Sequence, residues 1–282
     1  MKIMRFIGIV FALFSAGSPS DTSAQDSGKK YKVYMVSNSH LDTQWRWDVK
    51  ATIDDYLYNT AVQNLALLEK YPHYVFNFEG AVKYEWIKEY YPHLFERIRK
   101  FVADGRWNIS GASFEANDPN MPSSESFIRN ILLAQEFYKK EFGIKSKDMF
   151  LPDCFGFSQV MPTLGHHCGL IGFSTQKLSW RTEPLVGDSK TPFPIGLWEG
   201  VDGARIMVAL EPGRYSWNEF PEGDLSANEE LAESARKSPF GIAYRYYGNK
   251  LANGAGDHGG SALPRSIQLL EEGITNGKGP VQ

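Results

Sequence analysis

Two short segments of the chain carry metal-ligating and acidic side chains in positions where chemistry could use them. Ser37-Asn-Ser-His40-Leu-Asp42-Thr-Gln-Trp45 directly follows the run Lys32-Val-Tyr-Met-Val-Ser37, which reads as a strand. In extended backbone, residues two apart point the same way. His40 and Asp42 can therefore offer an imidazole nitrogen and a carboxylate oxygen to one cation. The same residues also fit a loop histidine beside an aspartate that caps a helix, since the H-x-D spacing is common. Phe150-Leu-Pro-Asp153-Cys-Phe155-Gly-Phe-Ser158 follows a second strand. Taken alone, Asp153 reads as a helix cap in a glycine turn. Parallel α/β domains gather their functional groups at the carboxyl ends of the strands. If both segments share that end, His40, Asp42 and Asp153 form a set of one nitrogen and two oxygen donors. Such a set suits Zn²⁺ best and other divalent ions next.

Other polar residues are more ambiguous. Asn253-Gly-Ala-Gly-Asp257-His258-Gly-Gly260 is a loop whose glycines let the backbone approach a ligand closely, with Asp257 and His258 as its polar groups. It lacks the G-K-[ST] ending of a phosphate loop, and a flexible surface loop accounts for it equally well. Glu115, Asn117 and Asp118 follow the third strand and become functional only if the strand ends are the site. His73 and His93 adjoin prolines at helix ends and read as structural.

The elements that must position these groups alternate strand and helix. Strands are expected at 32–37, 74–78, 107–110, 148–151 and 172–175. A hairpin is expected over 195–198 and 205–210, around Glu199-Gly-Val-Asp-Gly203. Helices are expected at 53–69, 82–103 (kinked at Pro92), 124–142, 225–237 and 264–273, and a helix or turn at 162–167. Helix 124–142 opens on Ser123 or Ser124 and stops at Gly143. This β-α rhythm predicts an α/β fold with a parallel sheet or barrel. Five or six strand–helix units fall short of a closed barrel, so the chain reads as the N-terminal part of a longer protein.

Composition narrows the function classes. With 42% hydrophobic and 22% charged residues, the bulk of the chain is globular rather than disordered or low-complexity. A net charge of −3 without a long basic run speaks against a nucleic-acid partner. Lys2 and Arg5, the short apolar run Phe6 to Phe14, and Thr22-Ser23-Ala24 read as a signal peptide over residues 1–24. Residues 25–282 are then the exported part, periplasmic or secreted. No later apolar stretch is long enough to insert in a membrane. Cys154 and Cys168 are too few for a disulfide framework and read as two buried free thiols, with a single bridge between them as the alternative.

Five segments in order resemble the glycoside hydrolase family 38 α-mannosidases: His40-x-Asp42-x-x-Trp45; Asp153-x-Phe155-Gly-x-Ser158 with Met161-Pro162; Thr175-Gln-Lys-Leu-Ser-Trp180; Trp198-Glu-Gly-Val-Asp-Gly203; and Gly256-Asp257-x-Gly-Gly260. The resemblance runs from about Tyr31 to the end. It implies the N-terminal part of a seven-stranded parallel β/α barrel, with later domains missing. It also implies a retaining exo-α-mannosidase acting on terminal α-mannosides of glycans, with one Zn²⁺ held by two His and two Asp. By motif, His40, Asp42 and Asp153 match three ligands, and Asp153 also matches the nucleophile. Trp45 matches the platform under the sugar, and Phe155 lines the same subsite. Lys177 stands where some members carry Arg, and Asp257 lies on the glycine-rich loop. Arg181 replaces the usual Asn after the Trp. The fourth ligand and the general acid belong to later motifs, so the isolated chain is expected to be inactive. Two other readings use the same residues. One is a zinc polysaccharide deacetylase, though its H-x-x-x-H pair is absent and His166-His167 are adjacent. The other is a non-catalytic carbohydrate-binding protein, which would explain the aromatics but not the acidic set.

Overall fold

Strand β1 (Lys32–Ser39) sits inside a four-stranded sheet and ends at the motif that carries His40. The computed structural model of the chain describes residues 32–179, 194–210, 229–238, 240–248, 250–251, 254–255 and 258–276. The first sheet has the order β3-β2-β1-β8, all parallel, with β2 at Phe76–Phe78, β3 at Trp107–Ile109 and β8 at Ile242–Gly248. The second has the order β4-β5-β7-β6, from Asp148–Phe150 (β4), Gly172–Ser174 (β5), Ile195–Glu199 (β6) and Arg205–Ala209 (β7). There β4, β5 and β7 run parallel, and β6 returns antiparallel on β7 as the expected hairpin. Lys250–Leu251 (β9) and Gly254–Ala255 (β10) form a small antiparallel pair.

Parallel neighbours need long crossovers, and helices supply them. Helix α1 comprises Val49–Ala51, a π-helical stretch Thr52–Leu57, and Tyr58–Lys70. It starts earlier than the apolar period suggests, because the Asp48 carboxylate accepts from the Ala51 N–H at 2.8 Å and caps it. The stretch expected as one kinked helix is two, α2 (Ala81–Tyr90) and α3 (Pro92–Ala103). Pro92 forbids helical geometry at Tyr91 and then serves as the first residue of α3. Helix α4 (Ser124–Phe142) matches its expected bounds: Ser123 accepts from the Ser126 N–H, and Gly143 at φ 73° ends it. Its apolar side buries Phe127, Ile131, Ala134 and Tyr138. Helices α5 (Met161–His167), α6 (Glu229–Lys237) and α7 (Pro264–Asn276) complete the set.

The main core lies between the first sheet and its helices, where Phe76, Phe78 and Trp107 meet Leu65, Tyr84 and Ile98. A second cluster joins Met149, Phe173 and Val208 of the second sheet to Phe127 and Met161. A third, smaller one, Phe150, Ile195, Tyr244 and Tyr246, lies between the sheets.

Strand β8 is absent from the sequence-based reading. Ile-Ala-Tyr-Arg-Tyr-Tyr-Gly shows no polar–apolar alternation, because both of its faces are covered. Tyr244 and Tyr246 face Phe150, while Arg245 turns to the Ser234 hydroxyl of α6. The sheets adjoin on two flanks. The Ala112 N–H donates to the Asp148 carbonyl at 2.8 Å, and the Ser174 hydroxyl meets the Tyr246 hydroxyl. Among the described residues no strand ladder crosses either flank. The architecture is thus a parallel α/β domain of two adjoining sheets, which agrees with the α/β class and parallel sheet expected. No described helix is long and apolar enough to cross a membrane, and both cysteines are free thiols.

Candidate metal centre

His40 is the first residue after β1 and is buried, 3% exposed. Its backbone is fixed from behind. The Gly259 N–H donates to the His40 carbonyl at 3.0 Å, and Leu41 bridges to His258. The Gly260 N–H donates to the Thr60 hydroxyl at 2.8 Å, and the Asn64 amide donates to the Gly260 carbonyl at 2.9 Å. Glycine is required there because Gly259 has φ 75°, and a Cβ on it would lie 2.4 Å from Thr60 Oγ1. Gly259 and Gly260 thus serve close backbone packing beneath His40. Asp257 of the same loop lies outside the described residues, as do Trp180, Arg181 and residues 1–31.

The His40 imidazole faces three carboxylates. Nε2 lies 3.2 Å from Asp42 Oδ1 and 3.7 Å from Asp153 Oδ2, and Nδ1 lies 2.8 Å from Glu79 Oε1. One ligand atom from each of His40, Asp42 and Asp153 falls within 4.8 Å of the others. The three residues singled out from sequence are therefore together at the carboxyl ends of β1 and β4. Among the described residues the group stops at these three. One imidazole nitrogen and two carboxylate oxygens are a donor set that fits Zn²⁺ and related divalent ions.

Lys177, 2% exposed, pairs its ammonium with Asp153 Oδ1, and the same ammonium lies 4.6 Å from the centre of the Phe155 ring. Lys177 begins a short 3₁₀ turn just after β5. Burial pushes the Asp153 carboxyl up, but His40 and Lys177 outweigh it and hold it below its ordinary value. Burial acts to lower His40, yet hydrogen bonding to Asp153, Asp42 and Glu79 holds it well above the usual imidazole range. Glu79 is likewise held low against burial, by Lys83 and His40. Glu115 is pushed up, chiefly by burial.

His40, Asp42 and Asp153 line a pocket of about 210 Å³ with Asn117, Asp118, Cys154 and Phe155. Helix α4 anchors the segment that leads into Asn117 and Asp118, since Asn130 accepts from the Phe114 and Glu115 N–H groups and donates to the Glu115 carbonyl. Trp45 stands outside the lining and is 53% exposed. It sits edge-on to Trp47 and carries the Arg46 guanidinium 4.2 Å from its centroid. His73 ties its loop to Glu271 of α7 through its backbone N–H and a ring nitrogen.

Glu79 and Lys83 escaped the sequence reading. Glu79 follows β2, and Lys83 lies four residues on in α2, so the pair looks like a surface helix pair. Only burial distinguishes it: Glu79 is 3% and Lys83 is 1% exposed.

The domain is thus a parallel α/β unit whose strand ends carry a metal-type ligand set, one carboxylate of which, Asp153, is also paired to a lysine. Residues 30–272 match the model of the glycosyl hydrolases family 38 N-terminal domain, and the chain belongs to that family. It is 37% identical over 190 residues to alpha-mannosidase G of Dictyostelium discoideum, covering 67% of this chain and 17% of that protein. It is 34% identical over 245 residues to alpha-mannosidase 2C1 of Mus musculus, covering 86% of this chain and 22% of the relative. The chain therefore spans about a fifth of the length of these relatives. Its fold is similar to the crystal structure of an alpha-mannosidase from Enterococcus faecalis V583, with a TM-score of 0.69 at 22% identity over 88% of this chain and 27% of that one.

Proposed function

We propose that the chain is the N-terminal part of the catalytic domain of an exo-α-mannosidase that works with retention of configuration on terminal α-mannosides of glycans. The observation that carries this reading is Asp153, a carboxylate held ionised by His40 and Lys177 and facing the pocket. Asp153 would attack the anomeric carbon. The glycosidic bond breaks as the leaving oxygen takes a proton from a general acid, and a glycosyl ester forms on Asp153. Water then hydrolyses the ester and returns the carboxylate. Lys177 orients Asp153 and keeps it unprotonated, while Phe155 and Asn117 shape the subsite. His40, Asp42 and Asp153 would hold a Zn²⁺ ion, which when bound supplies Lewis-acid positioning of the sugar hydroxyls. In the full protein we expect the two sheets to close into the family's barrel, and Ala24 to be the last residue of a cleaved export signal.

The test is Asp153→Asn in the full-length protein, assayed on an aryl α-mannoside with and without chelator. The amide is neither a competent nucleophile nor a good ligand. Turnover should fall by at least about three orders of magnitude, as expected when one residue serves two coupled roles. Near-parental turnover in Asp153→Asn would overturn the assignment.

A further inference from the structure

Glu79 and Lys83 lie outside the ligand set, yet they are the most deeply buried ion pair at the site. Glu79 Oε1 is 2.8 Å from His40 Nδ1 and 3.3 Å from Lys83 Nζ. Lys83 reaches it by folding back over Gly80. That residue has φ 84°, and a Cβ there would sit 3.3 Å from Lys83 Cδ and Cε. Stability alone does not account for such a pair. Removing two charges from water costs several kcal/mol per ion, and apolar residues of similar volume would do as well or better. Direction is what the pair supplies. A carboxylate 3.3 Å from the Lys83 ammonium only accepts, so it keeps a proton on His40 Nδ1 and turns Nε2 towards Asp42 and Asp153, where a cation would take the place of the Nε2 proton.

We propose that Glu79 is a positioning residue for the metal centre. Its carboxylate fixes the tautomer and ring orientation of His40, and Lys83 moderates the charge of that carboxylate. The inference rests on the reading that His40, Asp42 and Asp153 hold a divalent ion. Glu79 makes His40 a better donor by accepting its second ring proton. Lys83 works against this, because it draws charge from Glu79 and adds a positive charge near an incoming cation.

The two residues therefore have opposite effects, and this makes the proposal testable. Zn²⁺ affinity of the intact protein is measured by competition with a chromophoric chelator, with circular dichroism as the check on folding. Glu79→Gln keeps the volume and an acceptor but loses the charge, and should weaken Zn²⁺ binding about 10–100-fold. Lys83→Met should bind Zn²⁺ at least as tightly as the parent, although its metal-free form is less stable. Loss of packing alone would weaken both variants alike. A long-range ¹H–¹⁵N spectrum of the parent should show His40 protonated at Nδ1 with Zn²⁺ bound, and this measurement needs no variant. Parental affinity in folded Glu79→Gln, equal weakening in both variants, or a proton on Nε2 of the loaded parent would each overturn the proposal. If the parent takes up no Zn²⁺, the metal reading falls and this inference falls with it. If the parent binds and Glu79→Gln binds equally well, only this inference falls.

Discussion

Lys177→Met removes the cation that faces Asp153 and leaves the shape of the side chain nearly intact. Lys177 is 2% exposed and the Asp153 side chain 22%. Removing one partner of a fully buried pair costs about 3–5 kcal/mol. Asp153 reaches some water through the pocket, so the cost here is about 2–3 kcal/mol. For a domain of this size each kcal/mol lowers Tm by roughly 2–4 °C, which gives a fall of about 4–12 °C in chelator. A divalent ion on Asp153 replaces much of the lost positive charge, so the deficit should shrink in saturating Zn²⁺. The pH dependence has a definite sign. Asp153 titrates below its ordinary value of 3.8. The stability this contributes is present in full above that value and is lost as pH falls through the lowered one. The gap between parent and variant should therefore be full at neutral pH and close in strong acid. Differential scanning calorimetry with and without Zn²⁺, repeated over a pH series, measures all three quantities. A Tm within about 2 °C of the parent in chelator, or a deficit unchanged by Zn²⁺, would refute the role given to this pair.

Two further changes probe the support and the rim of the site. Gly259→Ala forces a side chain into positive φ, at about 1–2 kcal/mol, and displaces Thr60, whose hydrogen bond contributes about 0.5–1.5 kcal/mol. A urea titration should report a loss of about 2–3 kcal/mol, and a change below about 0.5 kcal/mol would show that the loop yields freely. Trp45→Ala removes a half-exposed ring, so stability should change by less than about 0.5 kcal/mol. On an aryl α-mannoside KM should rise by up to about tenfold, as a lost stacking contact of about 0.5–1.5 kcal/mol implies. A collapse of kcat at constant KM would contradict the platform role.

What the sequence determined about this protein is local. Ser123 and Gly143 cap α4 at its two ends, because capping acts within one helical turn. The hairpin around Gly203 and the shared side of His40 and Asp42 follow from turn chemistry and the two-residue period of a strand. The break at Tyr91 was half visible: Pro92 marked it, but whether a helix kinks or splits depends on what packs around it.

Tertiary structure decided everything that joins distant residues. Strand β8 has no alternating pattern because α6 and the second sheet cover its two faces, and Phe150 and Ile195 of that sheet lie far away in sequence. Glu79 becomes a partner of His40 across 39 residues only because β2 pairs in register with β1. Lys177 becomes the counter-ion of Asp153 because β5 lies beside β4. Periodicity and caps are written in neighbouring residues, whereas burial, and with it the strength of every charge at this site, is set by which strands lie side by side.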